Sequence, residues 1–219
     1  MVGTDENNVD KLIQDIIHDM MEMGQSVKVS IARSVNSLKE QNTSMADKVL
    51  ESKKEIDDKG NVIEDKCTMG MTLKVSPVQL RTFKGILRMI IDLESIQDMA
   101  VEVALITKVT SQAPHIKPLV DIPRMSDQLQ VMLDSSLDAL KNRDVELARS
   151  TALKDNEIDA LFDQIRRELI TYMIEDPQKI ANASHLTFAA RYLERMGDHI
   201  NNLCESLVYI VTGEKVDLN

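Results

Sequence analysis

The chain has 219 residues, a formal net charge of −10 and a pI near 4.9. No basic run offsets that charge, so a phosphodiester backbone is repelled and nucleic acid is not an expected partner. Glycine (7), proline (5) and aromatic residues (3%) are scarce and tryptophan is absent, which disfavours sheets and suits long helices.

From Val9 to about Glu40, apolar residues recur at helical spacing: Leu12, Ile13, Ile16, Ile17, Met20, Met23, Val27, Ile31, Val35 and Leu38. This predicts one long amphipathic helix. Ser44, with Asp47 following at capping-box spacing, is expected to open a second helix. That helix should run to about Leu73, with an irregularity at Gly60. Ser76-Pro77 supplies an N-cap and a first-turn proline for a third helix, which reaches about Thr110. The stretch from Ser111 to Pro118 holds two prolines and no periodicity, so it reads as a linker. A fourth helix is expected from about Pro123 to Lys141, and a fifth from Asp144 to about Tyr172. The sixth opens at Asp176-Pro177 and ends at Gly213, a left-handed terminator. The expected fold is all-α, with two tandem three-helix bundles. The repeats span residues 1–112 and 121–219, joined by a linker at 113–120.

No apolar run is long enough to span a bilayer. The polar, acidic opening Met1 to Glu6 does not read as a signal peptide, so a cytoplasmic location is expected. Cys67 and Cys204 lie in apolar helical patterns and read as reduced, packed thiols.

The third and sixth helices carry one signature in one frame. Ser76-Pro77 matches Asp176-Pro177, and Leu93-Glu94-Ser95-Ile96-Gln97-Asp98 matches Leu193-Glu194-Arg195-Met196-Gly197-Asp198, every pair 100 residues apart. A constant offset across such unlike residues marks a duplication. On a helix, positions i and i+4 share a face. Glu194 and Asp198 therefore project together, with Asn202 one turn further, and Asp155 and Asp159 share the same spacing on the fifth helix. Register permitting, these four carboxylates converge on one patch that a hard cation such as Mg²⁺, Mn²⁺ or Ca²⁺, or iron, would neutralise. In a chain with 36 acidic residues, one such pair is ordinarily a solvated helix face; its duplication makes it a candidate site. The first copy offers Glu94, Asp98 and Glu102 on the third helix and Asp57 on the second. Asp57 aligns with Asp159 at an offset of 102, which places Lys53 where the second copy has Asp155. An ammonium beside a bound cation costs about 4 kcal/mol at 4 Å in an effective dielectric of 20, so metal is expected to favour the second copy. His199 points about 100° away from Asp198 and is not expected to be a ligand.

The segment from Ala190 to His199, with Asn202 and the run from Tyr209 to Gly213, resembles the PhoU family of phosphate-uptake regulators. The resemblance extends to Met23-Gly24 and Ile158-Asp159 and covers nearly the whole chain. The first copy departs from the family pattern, with Ser95-Ile96-Gln97 in place of an Arg-Ile-Gly type of spacer and with Lys53 in place of an acid. The resemblance implies a non-enzymatic regulator that represses the phosphate-starvation response. It implies partners at the membrane, namely a phosphate ABC transporter with its ATPase and a phosphate-sensing histidine kinase. It also implies Fe, Mg or Mn ions at the acidic motifs. A second copy of the chain, forming a homodimer, is the further expected partner.

Ferritin-like di-iron enzymes need Glu-x-x-His pairs, and no histidine here follows a glutamate at that spacing; Asp15-x-x-His18 comes nearest. A phosphate-binding P-loop is absent. A metal-free helical scaffold or adaptor is the alternative reading.

Overall fold

A computed structural model describes the backbone of residues 2–218 and the side chains of residues 8–218. The acidic opening segment, Met1 to Glu6, falls outside the described side chains. Among the described residues there are seven α-helices and no strand. They are α1 (Val2–Glu40), α2 (Thr43–Met71), α3 (Pro77–Thr110), α4 (Asp121–Asn142), α5 (Val145–Ala152), α6 (Asp155–Glu175) and α7 (Ile180–Thr212). A 3₁₀ turn, Pro177–Lys179, leads into α7. The all-α expectation holds, and the α1 stripe from Ile13 to Leu38 is buried as its periodicity requires.

The connections show the duplication in backbone detail. Gln41 takes a left-handed φ of 53° and Arg143 one of 54°. After each, an amide bonds back across the closing turn, Asn42 N to Ser37 O and Asp144 N to Ala139 O, both at 2.9 Å. This is the Schellman end of a helix. The same two residues then cap the next helix. Asn42 Oδ1 accepts from Met45 N at 3.0 Å, and Asp144 Oδ1 accepts from Leu147 N at 2.9 Å. The two turns lie 102 residues apart, like Asp57 and Asp159, so the insertion between the repeats falls after the second-helix acids. The expected capping box at Ser44 is therefore corrected: Asn42 is the cap, and Asp47 instead takes Lys108 at 2.6 Å. Ser76 forms a complete capping box with Gln79, and Gly213 ends α7 at a φ of 81°.

Two further expectations change. The helix is continuous through Gly60. The fifth helix, expected to be unbroken, is interrupted at Leu153-Lys154, which divides α5 from α6. No glycine or proline signals this break. It makes Asp155 the first residue of α6, where it is buried against α7.

The six-helix logic survives, yet the repeats do not stand apart. The partner with which α3 packs most extensively is α7, and α1 also packs on α4. Gly85 lies against Ile210, while Asp92 meets His199 and Asn202, so α3 and α7 run antiparallel. Lys28 of α1 pairs with Asp134 of α4. The buried residues of both repeats form one continuous apolar cluster. Helices α2 and α6, which carry the remaining acids, flank this shared centre.

Candidate metal centre

In the second repeat the four predicted carboxylates come from the first two turns of α6 and the middle of α7. Asp155 is 7% exposed. Its Oδ2 accepts from Asn201 Nδ2 at 2.7 Å, while its Oδ1 is buried with no hydrogen-bond partner. That oxygen sits over Gly197, 2.2 Å from where a Cβ would be. The glycine of the Glu-Arg-Met-Gly-Asp run is thus a space requirement, since any side chain there would displace the carboxylate. Burial is the main cause that pushes Asp155 up to about 7, with Asp159, Asp198 and Glu194 adding charge repulsion and Asn201 opposing. Asp159, Asp198 and Glu194 thus all lie near enough to Asp155 to repel its charge. Asp159 is exposed, and burial followed by Asp198 and Asp163 holds its carboxyl above the ordinary range, against Arg191. Glu194 is 9% exposed, with Oε2 buried and unpartnered. Burial raises its pKa most, and Arg191, which pairs with Oε1, opposes that shift. Asp198 is half-buried beside them.

The first repeat resolves its charge differently. Lys53 Nζ donates to Asp57 Oδ1 at 3.3 Å and also to Asp98, tying α2 to α3. Glu94 is half-buried with Oε1 against Gly60, 2.4 Å from the position of an added Cβ. Burial and then Asp57 push its pKa up, while Lys53 lowers it. Asp98 and Glu102 are exposed.

Asn202 does not join the second-repeat acids. Its Nδ2 donates to Asp92 Oδ1 at 3.0 Å, across to α3. Asn201 reaches Asp155 instead. Seven residues on from Glu194 returns to within about 20° of its direction, whereas eight residues on is about 80° away. His199 Nδ1 lies 2.8 Å from Asp92 Oδ1, so it joins the two repeats and faces away from the acids. Cys67 and Cys204 are free and buried, each pushed up to about 12 mainly by burial.

Among the described residues, no group of three or more histidine, cysteine, aspartate or glutamate side chains stands arranged to hold a metal ion. Arg191 holds Glu194. The donor set nonetheless fits a hard cation. Two buried carboxylate oxygens, Asp155 Oδ1 and Glu194 Oε2, lack partners, and buried oxygens of this kind are costly unless something neutralises them.

The comparisons with known proteins agree with this architecture. A PhoU domain matches twice, over residues 20–107 and 122–207. The chain is 30% identical over 209 residues to a phosphate-specific transport system accessory protein PhoU homolog of Clostridium acetobutylicum, covering 94% of this chain and 95% of the relative. The corresponding homolog of Deinococcus radiodurans is 38% identical over 164 residues, covering 74% of this chain and 76% of the relative. The crystal structure of PhoU from Pseudomonas aeruginosa superposes with a TM-score of 0.88 at 30% identity, covering 94% of this chain and 99% of that one. The phosphate transport system regulatory protein PhoU from Streptococcus pneumoniae gives a TM-score of 0.87 at 26% identity, over 95% and 99% of the two chains. Carrying the domain in two copies that together span most of its length, the chain belongs to the PhoU family.

Proposed function

We propose that this protein negatively modulates phosphate uptake and phosphate-starvation signalling. It does so by docking on the ATPase of a phosphate ABC transporter and on a sensor histidine kinase. Its relatives are named accessory or regulatory proteins of a phosphate transport system, and it acts as an accessory rather than as a catalyst. No helix among the described residues is long and apolar enough to cross a membrane, so contact with the membrane runs through those partners.

Divalent or iron ions, of the Fe, Mg or Mn kind, are held by Asp155, Asp159, Glu194 and Asp198. The observation that carries this is the pair of buried, partnerless oxygens on Asp155 and Glu194. A bound cation offsets part of the charge of −10 and turns a repelling patch into a docking surface. Two arms test the reading. Glu194→Gln with Asp198→Asn is expected to release the starvation response in phosphate-rich cells. Wild-type protein is expected to retain the transporter and kinase from detergent-solubilised membranes. A folded double variant, present at normal levels, that still represses fully would favour the metal-free scaffold.

A further inference from the structure

We propose that Lys53 and Gln97 act as a two-residue substitute for a metal ion, so that the first repeat is permanently neutralised from within and only the second can be loaded. This rests on the metal reading of the second repeat and concerns how this chain departs from its own internal symmetry.

The correspondence between the repeats is fixed at every position involved. Asp57, Glu94 and Asp98 match Asp159, Glu194 and Asp198, which leaves Lys53 opposite Asp155 and Gln97 opposite Gly197. Both mismatches change the physics in the same direction. Lys53 Nζ reaches an acid on its own helix and one on the neighbouring helix, Asp57 and Asp98. A cation bridging α2 and α3 would have to neutralise this same pair. An ammonium about 4 Å from a divalent ion lowers its affinity by about a thousand-fold per unit charge at an effective dielectric of 20.

Gln97 closes the other half. It is fully buried, and its Nε2 reaches Val49 O and Ser52 Oγ, each at 3.4 Å. In the second repeat Asp155 fills that space, because Gly197 has no side chain and Asp155 Oδ1 lies 2.2 Å from the position a Cβ would take. A carboxylate introduced at position 53 therefore cannot take the pose of Asp155 while Gln97 remains. In the second repeat the paired counter-charge is Arg191, on a side chain that is 49% exposed and pairs with one acid, and Arg195 adds a weaker attraction to that same acid. Arg191 can swing into water. Lys53 is held between two acids that both gain from keeping it.

The test uses the full chain, freed of metal with chelator, and Mn²⁺ as the probe, with calorimetry and elemental analysis as readouts. It is run on wild type and on a Glu194→Ala/Asp198→Ala background that removes the loadable site. Lys53→Asp with Gln97→Gly on that background is expected to restore Mn²⁺ binding, at least ten-fold tighter than the background alone. Lys53→Asp by itself should restore less. Lys53→Gln, which needs no repacking, should give a weak extra site in otherwise wild-type protein and guards against misfolding of the double change. If folded variants of both kinds take up no additional Mn²⁺, or if wild type binds equally at both repeats, the proposal is overturned. If wild type binds none at the second repeat while the converted first repeat does bind, the substitute stands and the reading of the second repeat falls.

Discussion

Replacing Asp155 by asparagine tests whether the second-repeat patch is strained when no cation is present. Asp155 is buried, its Oδ1 has no partner, and its carboxyl is raised from 3.8 to about 7. A folded-state pKa above the unfolded one means the native protein keeps a proton that the unfolded chain has released. Stability from this group is therefore present below about pH 4, falls as pH rises towards 7 and is flat beyond. At about 1.36 kcal/mol per pH unit, the gap amounts to about 4 kcal/mol at pH 8. Asparagine removes the ionisation and can still accept from Asn201 through its carbonyl. It gives up about 0.3–1 kcal/mol of favourable charge at the start of α6. Metal-free Asp155→Asn should thus be more stable than wild type by about 3 kcal/mol at pH 8, or about 6–12 °C in melting temperature for a chain of this size. The difference should shrink to about 1 kcal/mol near pH 4.5 and vanish below about pH 3. Thermal and urea unfolding in chelator at several pH values measures this. Equal melting temperatures at pH 8, or parallel pH profiles, would refute the picture of an unneutralised buried carboxylate.

Gly197→Ala should push Asp155 out of its seat. The expected cost is about 1–3 kcal/mol in the metal-free protein, together with loss of Mn²⁺ binding in calorimetry. Glu194→Ala with Asp198→Ala should lower bound metal more than Glu94→Ala with Asp98→Ala; equal losses by elemental analysis on folded proteins count against the asymmetry. Cys67 and Cys204, raised to about 12 by burial, should resist a thiol reagent at pH 8 in the native protein and react fully in denaturant; rapid native labelling would contradict their packing.

Much of the architecture could be read in the sequence because it follows from local rules. Pro77 and Pro177 mark matching helix starts, and the α1 stripe follows a period that only a helix satisfies. What could not be read depends on neighbours distant in sequence. The break at Leu153-Lys154 has no helix-breaking residue, and it coincides with the seating of Asp155 on Gly197. The spacing of Ser44 to Asp47 predicts a cap at Ser44, yet the left-handed turn at Gln41 passes that role to Asn42. Spacing of four from Asp198 predicts Asn202 among the acids, whereas the drift of 3.6 residues per turn makes Asn201 the one that faces Asp155. Nothing local indicates that His199 would find Asp92 from the other repeat. The closest available signal was the glycine of Met196-Gly197-Asp198, because a glycine inside a helix often marks a close approach.

The antiparallel seam of α3 and α7 has a thermodynamic consequence. Each repeat leaves part of its apolar surface for the other to cover, so neither half keeps an autonomous native state. The chain should melt in a single cooperative step. A cation bound at the proposed site on α6 and α7 would then stabilise the entire chain through mass action. Amide protons of α1 and α2, far from the ligands, would slow their exchange in proportion to cation concentration wherever they open only by global unfolding. On the proposed metal reading, occupancy of one acidic patch would thereby be felt as added stability in helices that do not touch it, without any helix having to move.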